Sequence, residues 1–209
     1  MLAADIGDLD ALDQTENGSY DVMTVHSEHV RLVAIPSKDR VAVQRLVENA
    51  GKKVEESITS ANALAAFDEA EMYMTDASVA GPFVMFVSSE YYKALKNADG
   101  VTKQFTTNTV QLNGIDRRVS TLDNDIPIIK VPKDRLQKLP DGTDREQKIN
   151  FILVSLTAAA PIEKYNTVDL VPAESDRNGY RDTIKGLNYY DLIVFDNAKK
   201  AIYVSYEDA

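Results

Sequence analysis

The stretch LNYYDLIVFDNAKKAIYVSYE, residues 187–207, contains two apolar, aromatic-rich runs separated by the polar sequence DNAKK. Aromatic and β-branched residues favour strands, and Asp-Asn favours a turn. The stretch therefore predicts a β-hairpin near the end of the chain. It contains no pattern typical of catalysis or ligand binding, so clues to function must come from the rest of the sequence.

The composition is that of a globular protein with an acidic balance. Of 209 residues, 44% are hydrophobic and 27% are charged, and the formal net charge is −10. A protein that follows a nucleic-acid backbone needs a positive surface, so sequence-specific DNA or RNA binding is not expected. The absence of cysteine excludes disulfides, a thiol nucleophile and cysteine-ligated metals. The apolar runs are too short to span a bilayer, so no membrane association is expected.

The N-terminal quarter of the sequence carries helical periodicity. Apolar residues recur at helical spacing over residues 20–50, but Pro36 interrupts the pattern. An interior proline kinks or divides a helix. The pattern predicts one long kinked helix or two helices, the second beginning near Ser37. Residues 59–75 predict a further helix with one buried stripe.

Short apolar runs bounded by turn residues predict strands in the remaining sequence. GPFVMFVSS (81–89) predicts a buried strand, with Ser88 or Ser89 capping the helix that follows it. Further strands are expected at 109–112, 117–121 and 126–132 and within 149–172. The charged segment 133–148 is expected to form a surface loop. Because strands and helices mix without a regular βαβ rhythm, the fold class is α+β.

Two groups of residues could bind a metal, and neither satisfies the requirements. His26 and His29 are spaced i, i+3 on the predicted helix, but no third ligand is indicated, so they are better explained as surface histidines. The acidic segment 5–16 has the length of an EF-hand loop, yet Gly7 and Leu9 occupy ligand positions. We therefore predict no metal site.

No residue set predicts catalysis or cofactor binding either. Ser88–Ser89 follows a strand but lacks the G-x-S-x-G pattern of a nucleophile elbow, and no phosphate-binding glycine motif is present. The paired carboxylates of DNDIP (123–127) are best explained as a loop. By elimination the residues favour a structural protein or a binding module. A small α+β enzyme or ligand-binding module, built from distant carboxylates and tyrosines, is the alternative.

Five segments resemble, in the same order, parts of tailed-phage major capsid proteins with the Hong Kong 97 fold, especially those of phages and prophages of Gram-positive bacteria. They are VRLVAIPSKDRVAVQRLVENAG (30–51), GPFVMFVSSEYYKALKNADG (81–100), DNDIPIIKVPKDRL (123–136), INFILVSLTAAAPIEKYNTVDLVPAESDRNGY (149–180) and GYRDTIKGLNYYDLIVFDNAKKAIYVSYE (179–207). Each segment alone is a packing pattern, and their shared order carries the resemblance.

The resemblance implies a long spine helix, a peripheral domain with a β-sheet and an axial α/β domain. Residues 1–17 would form a flexible acidic lead-in. The peripheral domain would contain 18–56 and 161–191, and the axial domain would contain 57–160 and 192–209. Such a chain is a structural subunit of an icosahedral capsid and not an enzyme, and it assembles into pentamers and hexamers that enclose DNA. Scaffold and portal proteins are further expected partners.

The resemblance also implies a location and a departure from the family pattern. The protein would assemble in the bacterial host cytoplasm and reside in the virion. Family members carry an N-terminal arm and an E-loop before the spine helix, and this sequence begins close to the expected spine helix. A truncated form lacking both is therefore expected. An encapsulin-like shell protein, which uses the same fold, is a further alternative.

Five charged residues near the polar region 101–125 and the charged loop are candidates for salt-bridged contacts between axial domains of neighbouring subunits. They are Arg117, Arg118, Asp123, Lys133 and Arg135. The alternative for each of them is a solvated surface side chain.

Overall fold

The computed structural model contains helices and mixed sheets, which confirms the α+β class. The described residues are 2–5, 22–98, 107–112, 115–122, 126–138, 147–171, 175 and 183–208. By internal contacts the chain divides into two units. The first unit comprises residues 1–39 and 161–191, and the second unit comprises residues 40–160 and 192–209.

The helices are α1 (Val22–His29), α2 (Ile35–Glu48), α3 (Ala63–Asp76) and α4 (Ser89–Lys96), with a π-helical segment at Val30–Ala34 and a 3-10 helix at Asp196–Ala201. The strands are β1 (Leu2–Asp5), β2 (Lys52–Glu55), β3 (Phe83–Val87), β4 (Thr107–Leu112), β5 (Ile115–Leu122), β6 (Ile126–Lys130), β7 (Gln137–Lys138), β8 (Gln147–Ser155), β9 (Ala159–Val171), β10 (Thr183–Val194) and β11 (Ile202–Asp208). The helix predicted at 59–75 thus begins four residues later.

The N-terminal helical segment is continuous from residue 22 to residue 48. Its middle turn is π-helical, and the Ile35 N–H donates to the carbonyl of Val30, five residues back. Pro36 follows directly; a proline has no N–H for the carbonyl four residues back, and its ring clashes with that carbonyl. The wider π-helical turn shifts the hydrogen-bonding pattern just ahead of the proline. The sequence therefore forms one helical segment here and not two separate helices.

A three-stranded sheet has the order β1-β10-β9. β1 pairs antiparallel with β10, and Leu2 lies opposite Gly186. An amide hydrogen bond of 3.5 Å from Asn188 to Asn166 links β10 to β9. Most of this sheet belongs to the first unit.

The second unit contains an eight-stranded mixed sheet with the order β2-β11-β8-β3-β6-β5-β4, and β7 pairs with β8 beside this path. β11 is parallel to β2 and β3 is parallel to β6, whereas β8 is antiparallel to both β3 and β11. The strands β11, β8 and β3 are therefore consecutive neighbours within the sheet.

Helices cover both faces of this central sheet. On β8, Phe151 and Leu153 belong to a hydrophobic cluster with α3 and α4. The alternate residues Ile152 and Val154 belong to a second cluster with the later part of α2. Since successive side chains point to opposite faces, a strand buried on both faces is apolar throughout, as predicted for 81–89. Each such fully buried side chain stabilises the fold by roughly 1.5–3 kcal/mol.

The predicted C-terminal hairpin is wrong. Both of its apolar runs are strands, but β10 lies in the three-stranded sheet and β11 in the eight-stranded sheet, with the 3-10 helix between them. β11 pairs with β8 in a register that places Val204 opposite Ile152. Residues 202–205 are buried by pairing at the centre of the large sheet. Residues 185–194 of β10 are half-buried or exposed, so pairing with β10 would bury residues 202–205 less completely.

Candidate inter-subunit surface

The first unit exposes several large apolar side chains. Among its described residues seven are exposed: Leu32, Val33, Ile162, Tyr165, Val168, Leu187 and Tyr189. The exposed fractions reach 60% for Leu32 and 63% for Tyr189. Among the side chains of this unit whose burial the structure describes, in residues 26–39, 161–169, 171, 175 and 185–191, Pro36 alone is buried. These described side chains therefore form almost no buried core.

Polar contacts hold the helix and the sheet of the first unit together. Ser37 and Tyr190 share a hydrogen bond of 2.8 Å between their hydroxyl groups. Lys38 donates to Glu163 at 2.5 Å, and its ammonium group also lies 5.4 Å from the centre of the Tyr190 ring. These side chains are half-buried or exposed, and such pairs contribute about 0–1 kcal/mol each. These polar contacts do not cover the exposed apolar side chains, which therefore remain accessible to another molecule.

The second unit differs in this respect. It contains both hydrophobic clusters, and its described residues include four exposed large apolar side chains, Met72, Leu156, Ile193 and Phe195. Single exposed apolar residues are normal on soluble proteins, whereas a larger exposed apolar area marks an interaction site. With seven exposed large apolar side chains against four among the described residues, the first unit is the stronger candidate for a contact with other subunits.

The charged residues predicted to mediate contacts lie in three places. Arg117 and Arg118 belong to β5, opposite Val110 and Thr109 of β4. Their side chains, and the whole of Asp123, lie outside what the structure describes.

Lys133 and Arg135 lie in the turn that follows β6. Lys133 is exposed, and Arg135 is half-buried. The structure contains one chain and does not test contacts of these two residues with another subunit, so those contacts stay a prediction.

The serines considered as a nucleophile have a structural role. Ser88 is the N-cap of α4, and its hydroxyl accepts a hydrogen bond of 3.1 Å from the Tyr91 N–H, which confirms the predicted cap. A cavity of about 60 Å³ beside it is lined by Ser88, Ser89, Glu90, Lys133, Leu136, Lys148 and Ile149. Substrate pockets usually have about 300–1,000 Å³, so this cavity offers no room for a small-molecule substrate.

A buried polar network lies where β8 and β11 change register, between Ser205 and Tyr206. The Asn150 amide donates to the Glu56 carbonyl oxygen at 3.0 Å and to the Ser205 hydroxyl at 3.2 Å. Ser205 in turn donates to the Glu56 carboxylate at 2.6 Å. Because each of these groups has a partner, the network stabilises the irregular strand and does not present a reactive group.

Two core tyrosines have raised pKa values for structural reasons. Burial is the main cause for Tyr91, and the negative charge of Glu56 adds to it. Burial also raises the pKa of Tyr203, followed by the effects of Glu56 and Glu69. Both phenols therefore stay neutral over the physiological range, which suits core packing and not acid–base chemistry.

No group of three or more metal-ligating side chains occurs within the described ranges, and His26 and His29 have no third ligand there. No helix in the part of the chain that the structure describes is long and apolar enough to cross a membrane.

Comparison with known proteins shows which solved structures have a similar fold. No protein-family model matches the chain, and no curated protein matches it in sequence. Among solved structures, the capsid structure of the cyanophage P-SCSP1u is similar over 99% of this chain and 71% of its own, with a TM-score of 0.68 and 12% identity. A protein of Mycobacterium phage Che8 is similar over 98% of this chain and 68% of its own, with a TM-score of 0.64 and 19% identity.

The chain has the fold of phage capsid proteins. A virus-like particle from Pyrococcus furiosus is also similar, over 93% of this chain and 72% of its own, with a TM-score of 0.52 and 14% identity. The capsid fold extends over both units, because the phage structures match nearly the entire chain. The resemblance inferred from the sequence segments is thereby confirmed at the level of the fold.

Proposed function

We propose that this protein is the major capsid protein of a tailed phage or prophage, a structural subunit that assembles into pentamers and hexamers and encloses DNA. The observation that carries the proposal is the capsid fold, which covers 98–99% of the chain in the phage comparisons. The proposed function also takes support from the apolar side chains of the first unit that are exposed in a single chain.

The exposed apolar surface of the first unit supports self-association. Stable protein interfaces bury roughly 1,200–2,000 Å² and have an apolar centre. A unit with one buried described residue and seven exposed large apolar residues gains stability when another subunit covers it. The net charge of −10 fits the enclosure of DNA, because like charge prevents the shell from adhering to its contents.

The proposal assigns a role to each unit. The peripheral domain is assigned to residues 18–56 and 161–191 and the axial domain to residues 57–160 and 192–209; these bounds differ from the two units in residues 40–56, which belong to the second unit. Assembly with scaffold and portal proteins in the bacterial host, and residence in the virion, complete the proposed role. The charged contacts of residues 117, 118, 123, 133 and 135 stay an expectation.

A matched pair of leucines tests the proposed assembly. Leu187 in the first unit is 51% exposed and Leu156 in the second unit is 52% exposed, so aspartate at either position places a charge on a similarly exposed site. Sedimentation velocity over a concentration series would measure association. The Leu187→Asp change is expected to reduce association by at least about tenfold, since a buried unpaired charge costs several kcal/mol. The Leu156→Asp change should leave association unchanged.

Equal association of the wild type and both variants would contradict a contact through the first unit. Equal loss in both variants would show that association does not depend on this particular surface. Circular dichroism of each variant would establish that the helices and sheets are retained.

The second candidate is the encapsulin-like shell protein considered from the sequence, and the similarity to the virus-like particle from Pyrococcus furiosus favours it. The TM-score of that comparison, 0.52, is lower than the 0.64 and 0.68 of the phage structures, which favours the phage capsid. The ultraviolet absorbance of particles purified from the producing cells distinguishes the two, because DNA raises the ratio of absorbance at 260 nm to that at 280 nm.

A further inference from the structure

The strand β9 lies at the edge of the three-stranded sheet. It pairs with β10 on one side, and no strand in the described part of the chain pairs with its other side. Residues 161–169 of this strand are all exposed. A strand at a sheet edge presents unpaired N–H and C=O groups, which form a template for pairing with another chain.

The length of β9 distinguishes it from the other edge strands. It spans 13 residues, whereas β1, at the opposite edge of the same sheet, spans four. The edge strands of the large sheet, β2 and β4, span four and six residues. Short edge strands limit pairing between molecules, and a long exposed edge strand promotes it. Among the edge strands that the structure describes, β9 is therefore the best suited to accept a further strand.

The exposed apolar side chains of β9 are placed symmetrically about Tyr165. Ile162 lies three residues before this tyrosine and Val168 lies three residues after it, and all three side chains are exposed. Because Ile162 and Val168 are an even number of residues apart, their side chains point to the same face of an extended strand. If β9 paired antiparallel with a second copy of itself about Tyr165, Ile162 of each copy would lie opposite Val168 of the other.

The same pairing about Tyr165 is complementary in charge. It places Lys164 opposite Asn166 and Glu163 opposite Thr167, so no like charges face each other. The tyrosine lies opposite its own copy, and aromatic pairs are favourable across antiparallel strands.

Other registers of this self-pairing are less favourable. A two-fold axis perpendicular to the sheet keeps each face on its own side, so opposite residues are an even number apart and one residue lies opposite its own copy. With Glu163 or Lys164 at this centre, identical charges face each other, and with Asn166 at the centre, Glu163 faces Asp169. Like charges directly opposite destabilise a strand pair. Centres farther along the strand in either direction leave one of the two aliphatic side chains without an opposite residue in β9.

We propose that β9 of one copy pairs antiparallel with β9 of a second copy about Tyr165, which joins their two three-stranded sheets into one. The contact uses the same surface on both copies and has two-fold symmetry. A two-fold contact joins two copies only, so it links subunits of different rings and does not build a ring by itself. The inference rests on the proposed function and adds to it a contact between rings.

Disulfide cross-linking of introduced cysteines tests the register, because the chain has no cysteine of its own. The exposed residues Lys164 and Asn166 are replaced in separate preparations of the full chain, as Lys164→Cys and Asn166→Cys. The two variants are mixed at low concentration, concentrated together and oxidised mildly. Opposite residues in an antiparallel pair have Cα atoms about 4.5–5.5 Å apart, which is within disulfide reach.

The mixture should give at least about ten times as much cross-linked dimer as either variant alone, because equal positions of the two copies lie about 8 Å apart, too far for a disulfide. The separate variants are thus the matched controls. Tyr165→Cys, at the centre of the register, should cross-link with itself. Circular dichroism of each variant would establish that the helices and sheets are retained.

Two results would overturn the inference. The first is a yield from the mixture no higher than that of the separate variants, with no cross-link of Tyr165→Cys. If the wild type still forms rings or shells, the proposed function stands without this contact, whereas a wild type that is monomeric at every concentration would contradict both. The second is a cross-link of Lys164→Cys with itself that exceeds the yield of the mixture, which would show a different register.

Discussion

Removal of a single hydroxyl group from Tyr91 or Tyr203 should change stability in opposite directions. Both side chains are buried in the same hydrophobic cluster, with exposed fractions of 1% and 0%. Both rings contact Phe151, at centroid distances of 4.7 Å and 5.9 Å, and phenylalanine would keep these contacts. The Tyr91 hydroxyl donates to the Ala63 carbonyl at 2.9 Å, whereas the Tyr203 hydroxyl has no partner among the described residues.

The magnitudes follow from this difference. Tyr91→Phe loses one buried hydrogen bond and should lower the free energy of unfolding by about 1 kcal/mol. Tyr203→Phe removes a buried polar group whose unpaired state costs about 1–3 kcal/mol, so it should raise the free energy of unfolding by about 1 kcal/mol. For a chain of this length, each change corresponds to about 2–4 °C in Tm.

Urea unfolding at a protein concentration below that of association would measure both variants. The slope of the free energy against urea should match the wild type, because neither change alters the surface exposed on unfolding. A Tyr203→Phe variant destabilised as much as Tyr91→Phe would refute the reasoning, since the Tyr203 hydroxyl would then have a stabilising partner.

Two further predictions concern a close backbone approach and an exposed ion pair. A Cβ added at Gly51 would lie 2.6 Å from the Lys199 carbonyl oxygen, so Gly51→Ala should cost about 1–3 kcal/mol in thermal unfolding, whereas Gly186→Ala, with open space around it, should change Tm little. The hydrogen bond from Lys148 lowers the pKa of Glu90 below its ordinary value of 4.5, with Lys133 adding to the effect. A carboxyl whose pKa is lower in the folded state stabilises the fold above its ordinary pKa and loses that contribution as the pH falls through the folded value. The wild type should therefore exceed Glu90→Gln in urea stability by less than about 1 kcal/mol at pH 7, with the difference vanishing in acid; a difference that grows in acid would contradict the assignment.

Much of the fold could be predicted because the core strands are short and apolar on both faces. The run FVMFV was predicted as a buried strand and is one, and Ser88 caps the following helix as predicted. The C-terminal hairpin could not be predicted correctly, because a turn between two strands does not specify whether they pair with each other. In the structure β11 pairs with β2 and β8, which lie about 50 residues or more away along the chain.

The candidate contact surface was harder to predict than the fold. Val33 belongs to the helical pattern of apolar residues and is exposed, and periodicity alone does not distinguish a face covered by the chain's own core from one that contacts another subunit.

The most direct test of the proposed function is light scattering behind size exclusion over a concentration series of the wild-type chain, with negative-stain microscopy of each peak. The account predicts pentamers, hexamers or closed shells whose proportion rises with concentration. A monomer at every concentration, with no rings or shells in any peak, would contradict it.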